Sequence, residues 1–149
     1  MVNRERVVEE FLELVQIPSH SGKEGRIAQV LAGKLAELGL EVYIDEAGKK
    51  TGGETGNIIA RLKGTGGGAA ILFCCHMDTV APGEGVKPII KDGIIYSDGT
   101  TILGGDNKGG IAAVLEGIRS IKESNVPHGD VEVVFTIWEE GGLLGAKNL

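Results

Sequence analysis

Three short islands hold the residues best suited to chemistry: His76-Met77-Asp78, Gly105-Asp106-Asn107 and Glu139-Glu140-Gly141-Gly142. They supply an imidazole, an isolated aspartate and two adjacent glutamates. A neutral imidazole and carboxylates are ordinary ligands for zinc and similar divalent ions. Together they make up most of a two-metal hydrolytic site. The paired glutamates add proton transfer. One can ligate while the other, with a raised pKa, takes a proton from the attacking water and later gives it to a leaving amine.

Each island has a plainer reading when taken alone. His76 follows the apolar run 71–75, and Asp78 is close enough to accept the other ring N–H. His-x-Asp is also a common decoration of a strand-to-loop junction. Asp106 precedes the helically spaced stretch 111–118, where Asp or Asn is by default a cap. A bridging role is the alternative, because the two oxygens of a carboxylate can serve two ions roughly 3.5–4 Å apart. Glu139 and Glu140 would point to opposite faces of a regular strand. Both reach one site only if the chain kinks, which Gly141-Gly142 permits. Jointly, three such islands are hard to explain as caps and loops.

The elements that must hold the islands follow from periodicity and breakers. Asn3 caps a helix that runs to about residue 16 and stops at Ile17-Pro18. Ser21 or Gly22 opens a second helix to Leu38, with Ile27, Val30, Leu31, Leu35 and Leu38 facing a core. Strands are predicted over 41–45, 57–62 and 69–75, then a hairpin over 86–90 and 94–96 turning at Asp92-Gly93. A helix over 108–122, a strand over 131–137 and the start of another helix at Leu143 complete the chain. The run 64–68 reads as a hairpin loop and 49–54 as a surface connector. His20 and His128 read as surface residues, Trp138 as packing beside the site, and Asp98 as either a site wall or a turn cap. Strands separated by helices predict an α/β fold with a mixed, partly parallel sheet flanked by helices. Ligands in such folds gather at the carboxyl ends of strands, where all three islands fall.

The order of motifs resembles the M20 family of metallopeptidases, in its peptidase T-like (tripeptidase-like) branch. Ile17-Pro18-Ser19, Thr55-Gly56-Asn57, His76-Met77-Asp78-Thr79-Val80, Leu103-Gly104-Gly105-Asp106-Asn107-Lys108-Gly109-Gly110 and Glu139-Glu140-Gly141 carry the resemblance. It implies a zinc-peptidase-like catalytic domain that hydrolyses short peptides with two divalent ions, zinc first, with manganese or cobalt as alternatives. It implies His76 as ligand of one ion, Asp106 as the bridge and Glu140 as ligand of the other. It also implies Asp78 as the partner of His76 and Glu139 as general acid and base. The family often has a cis peptide after the bridging aspartate, so Asp106–Asn107 is expected to be cis. Family members are longer. They add a further acidic ligand, a lid or dimerisation domain and a late histidine ligand. Residues 1–149 are therefore expected to be the N-terminal portion of the catalytic domain, incomplete at its C-terminus and inactive alone. Other M20-type amide hydrolases, such as a deacylase or a carboxypeptidase, are the alternative. A non-catalytic interaction fragment is another.

Composition narrows the partners. The chain has 149 residues and a net charge of −6, which argues against nucleic acid and anionic membrane. No stretch has the length and apolarity of a membrane span or a signal peptide. Cys74 and Cys75 are adjacent and read as strand residues of a reducing, cytoplasmic compartment. The expected partners are a short peptide substrate and a second copy of the chain, as a homodimer or by self-association through an incomplete sheet.

Overall fold

Strand β6 (Val131–Thr136) is the axis of the main sheet. It pairs antiparallel with β2 (Ile58–Leu62) and parallel with β3 (Ile71–His76). β1 (Glu41–Ile44) pairs antiparallel with β2, which gives the order β1-β2-β6-β3. The computed structural model describes all 149 residues. The partly parallel sheet is thus present, and its one parallel pair leads directly into two of the three islands.

Period-2 alternation decides which face of the sheet is covered. Register sets Ile58 opposite Phe135 and Ala60 opposite Val133, and all four are buried. Helices α2 (Gly25–Glu37) and α4 (Gly105–Ser124) close this face with Ile27, Leu31, Leu35, Ile111, Leu115 and Ile118. Helix α1 (Arg4–Val15) packs on α4. Its Asn3 side chain accepts from the Arg6 N–H at 3.1 Å, as a cap should. Arg6 then ties α1 to α4 through Glu116, at 2.6 Å.

The opposite face of the sheet is bare. Tyr43 and Leu72 are 59% and 57% exposed there, beside half-buried Ile59 and Val134. Helices therefore flank the sheet on one side only.

Three local expectations differ from the structure. The run 64–68 links β2 to β3, and β6 lies between those strands, so it is no hairpin. Thr65 and Gly66 instead donate to the His128 carbonyl. The connector 49–54 is entered through a short helix, α3 (Ala47–Thr51), ended by left-handed Gly52. No α-helix starts at Leu143; only a 3-10 turn, Ala146–Asn148, forms there. The predicted hairpin, β4 (Pro88–Lys91) and β5 (Ile94–Ser97), stands apart as its own two-stranded sheet. Asp92 and Gly93 both have positive φ, 52° and 77°, the turn that matches strand twist.

Candidate metal centre

His76 ends β3 beside Thr136, the last residue of β6. The first and third islands therefore leave the sheet side by side. Asp106 enters from the start of α4, which packs on β3. That is the carboxyl-end geometry in which open α/β sheets bind ligands.

The His76 ring has a defined tautomer. Its Nδ1 lies 2.9 Å from the Asp78 carbonyl oxygen. A carbonyl only accepts, so Nδ1 carries the proton and donates it. The other ring nitrogen, Nε2, then faces the site. It lies 3.0 Å from Asp106 Oδ1 and 3.9 Å from Glu139 Oε2. Ligand atoms of His76, Asp106 and Glu140 all lie within 4.8 Å of one another. A bare ring nitrogen and a carboxylate oxygen 3.0 Å apart need a proton or a cation between them. This donor set, one buried imidazole with exposed carboxylates beside it, fits a divalent ion.

With a proton in that place, His76 titrates high. Burial lowers its pKa, but the carboxylates of Asp78 and Asp106 and the Asp78 carbonyl outweigh burial and hold it up at about 9. An ion must therefore displace a proton from His76 at neutral pH.

Asp106 is not a helix cap. Left-handed Gly104 precedes the helix, and no side chain caps it. Asp106 and Asn107 lie outside helical geometry, and the peptide bond between them is cis, as expected. The regular helix runs on from Lys108. Asp106 is 83% exposed and turned toward His76 instead.

Asp78 orients the ring through its main chain rather than its side chain. The carboxylate Oδ1 lies 3.6 Å from Nδ1, beyond hydrogen-bond distance. Its two oxygens serve the third island instead. Oδ1 accepts from the Glu139 N–H at 2.9 Å, and Oδ2 from the Glu140 N–H at 3.1 Å and the Ser21 hydroxyl at 2.6 Å. Burial pushes the Asp78 carboxyl up, but His76, Ser21 and those two N–H groups outweigh it and keep the pKa below the ordinary range. Asp78 is therefore ionised, with no exposure to solvent.

The kink that turns both glutamates into one site sits before them. Trp138 has φ 52°, a left-handed conformation. The two glycines do a different task at Gly141, where a Cβ would lie 2.4 Å from the Trp138 ring. Trp138 itself packs against the core beside the site, as expected. Asn57, fully buried at the start of β2, staples the far side of this loop. Its Oδ1 accepts from the Ile137 N–H at 3.1 Å, and its Nδ2 donates to the Gly145 carbonyl at 3.0 Å.

Asp98 is a turn cap, accepting from the Thr100 N–H at 2.9 Å. His20 is half-buried and accepts from the Gly83 N–H at 3.1 Å. Neither is part of the ligand group. Three supporting residues escaped the sequence: Glu24, Asn57 and Lys108. Lys108 is buried and donates to the Ile17 carbonyl at 2.7 Å, tying α4 to the loop before α2. Burial pulls its pKa down to about 8. A polar residue beside a Gly-rich island was the one signal available for Lys108. Nothing in the pattern marked Glu24 as buried.

Comparison with known proteins gives the family. The profile of peptidase family M28 matches residues 57–149, which hold all three islands. The chain belongs to peptidase family M28, and it is similar to peptidase T-like proteins. A Bacillus subtilis protein, YqjE, is 50% identical over all 149 residues, which amount to 40% of its length. A peptidase T-like protein of Yersinia pestis is 31% identical over 89% of the chain and 38% of its own length. Among solved structures, aminopeptidase PepT from Bacillus cereus superposes with a TM-score of 0.97 at 52% identity, over 99% of this chain and 40% of that one. A Staphylococcus aureus tripeptidase gives 0.95 at 48% identity, over 100% of this chain and 40% of that one. The chain thus spans about 40% of the length of these relatives.

Metal binding by this peptidase-family chain should be linked to pH through His76. The ring is protonated below about 9 and so competes with an ion. Apparent affinity should rise from pH 6 to 8, with about one proton released per zinc ion near pH 7. Calorimetric titrations in buffers of different ionisation enthalpy read that proton directly. Binding without proton release would contradict the role of Nε2.

Proposed function

We propose that this chain carries the metal-binding and proton-transfer part of a hydrolase that removes residues from short peptides, of aminopeptidase or tripeptidase type. The convergence of His76, Asp106, Glu139 and Glu140 around one point carries this reading. In it, His76 would hold one ion and Glu140 the other, with Asp106 shared between them. Zinc suits an imidazole with carboxylates, and manganese or cobalt are the alternatives. When bound, the ions polarise the scissile carbonyl and offset the negative charge that develops on its oxygen.

The chain's own residues do the rest. Asp78 keeps the Nδ1 proton of His76 in place through its carbonyl, and holds Glu139 and Glu140 through its carboxylate. Glu139 is left beside the ligand group, where it takes the proton as water oxygen bonds to the carbonyl carbon. It returns that proton to the amide nitrogen as the carbon–nitrogen bond breaks. Peptides are favoured over the substrates of deacylases and carboxypeptidases by the aminopeptidase and tripeptidase relatives at 52% and 48% identity. We assign the lid or dimerisation domain and the remaining ligands to the part of the relatives' length that this chain does not span. The chain alone is then inactive. The unpaired Cys74 and Cys75 favour the cytoplasm.

Glu139→Gln in the natural protein that carries this chain should leave metal content unchanged. It should lower tripeptide turnover by roughly 10²–10⁴-fold, the range for loss of a general acid–base. Normal turnover in that variant, with metal in place, would remove Glu139 from the mechanism.

The bare sheet face favours a second reading of this chain in isolation, as a self-associating module. Tyr43 and Leu72 are exposed on that face, and β3 is an open edge. Sedimentation should show a mass that rises with concentration, and Leu72→Glu should restore the monomer. A chain that is monomeric throughout would exclude this reading.

A further inference from the structure

Residues 137–140 present four successive backbone N–H groups, and a buried side-chain oxygen meets each one. Asn57 takes Ile137, Asp78 takes Glu139 and Glu140, and Glu24 Oε1 takes Trp138 at 3.0 Å. Asp78 and Asn57 have further partners that explain them. Glu24 does not. It lies just before α2, has no exposure to solvent, and its second oxygen is buried without a hydrogen bond.

Such a carboxylate is a poor choice for stability. Burial pushes its pKa up, the backbone N–H dipoles around it oppose this, and the charge of Asp78 adds to the push. A buried carboxylate without a cationic partner is readily bettered by an apolar side chain. Its contact with the third island is with a residue that also resists its own conformation. Left-handed φ is unfavourable for a bulky side chain such as Trp138. The ring is seated closely as well: a Cβ at Gly22 would lie 2.6 Å from it, opposite the tight contact at Gly141.

We propose that Glu24 is a positioning residue for the Glu139–Glu140 pair. Its carboxylate oxygen holds the Trp138 N–H and fixes the left-handed turn that aims both glutamates at His76 and Asp106. This inference rests on the reading of Glu140 as a ligand and Glu139 as the proton carrier. What matters is an acceptor at the right reach, not a negative charge.

Two conservative variants separate acceptor from charge. Glu24→Gln keeps the reach and an acceptor oxygen but removes the charge. Glu24→Asp keeps the charge but is one methylene too short. Trp138 is the only tryptophan of the 149 residues, so its emission reports on this turn during zinc titration. Zinc affinity in Glu24→Gln should stay within about twofold of the parent, while Glu24→Asp should bind at least about tenfold more weakly with an altered Trp138 response. A merely structural role would lower the melting temperature of both variants and leave zinc affinity alone. Unchanged affinity in Glu24→Asp, or a larger loss in Glu24→Gln than in Glu24→Asp, overturns the proposal. If the parent itself takes up no zinc, the metal reading fails, and amide exchange decides Glu24 separately. Faster exchange at residues 138–140 in Glu24→Asp but not in Glu24→Gln supports the positioning role; equal exchange in both overturns it. Should Glu24→Asp not fold, Glu24→Ala replaces it with the same expectations.

Discussion

The Asp78 carboxylate lies out of contact with solvent and is ionised, and it accepts from the Ser21 hydroxyl and from the backbone N–H groups of Glu139 and Glu140. A charge in that position is tolerated only where hydrogen bonds replace its water. Bonds to a charged acceptor contribute roughly 1.5–3 kcal/mol each, so losing one side of this set leaves the other side unsatisfied. The same residue's carbonyl fixes the proton on His76 Nδ1. One residue therefore sets both the tautomer of the imidazole and the backbone of the glutamate pair. The first and third islands are held in register by a shared buried anion rather than by direct contact of their side chains.

The sheet makes that sharing possible. His76 and Thr136 end adjacent parallel strands at the same level, so the residues just beyond them must run close together. An antiparallel pair would have sent them to opposite ends of the sheet. The covered face supplies the rigid support, through Phe135, Ile111 and Leu115, all without exposure. Asn57 adds a further staple, linking Ile137 and Gly145 across the loop and binding Asp45 at 2.7 Å. Glu140 is exposed and Glu139 half-buried at the mouth of this loop.

Much of this was legible in the residues. Alternation in the sheet strands, the cap at Asn3 and the Asp92-Gly93 turn each follow from local rules that tertiary structure did not override. The islands were legible because their residue types are costly to place together without a purpose. What escaped depended on contacts distant in sequence. Asp106 carries the local signature of a cap, yet its bond to His76, thirty residues away, decides its place. The run 64–68 looks like a hairpin loop because nothing local says that β6 inserts between β2 and β3. Glu24 looks like an ordinary acidic residue at a helix start, and only the turn at Trp138 explains its burial. Gly141-Gly142 permits a kink by residue type, and Gly142 does have positive φ, but the turn that precedes the glutamates is at Trp138, whose left-handed φ only a surrounding seat can hold.

The central claim is that His76, Asp106 and Glu140 form one metal centre. An anomalous difference map at the zinc absorption edge, from crystals of the chain grown with zinc, tests it most directly. The account predicts a peak about 2.0–2.2 Å from His76 Nε2 with Asp106 as its carboxylate neighbour, and any second peak between Asp106 and Glu140. Zinc bound elsewhere, with His76 still bonded only to Asp106, would contradict it.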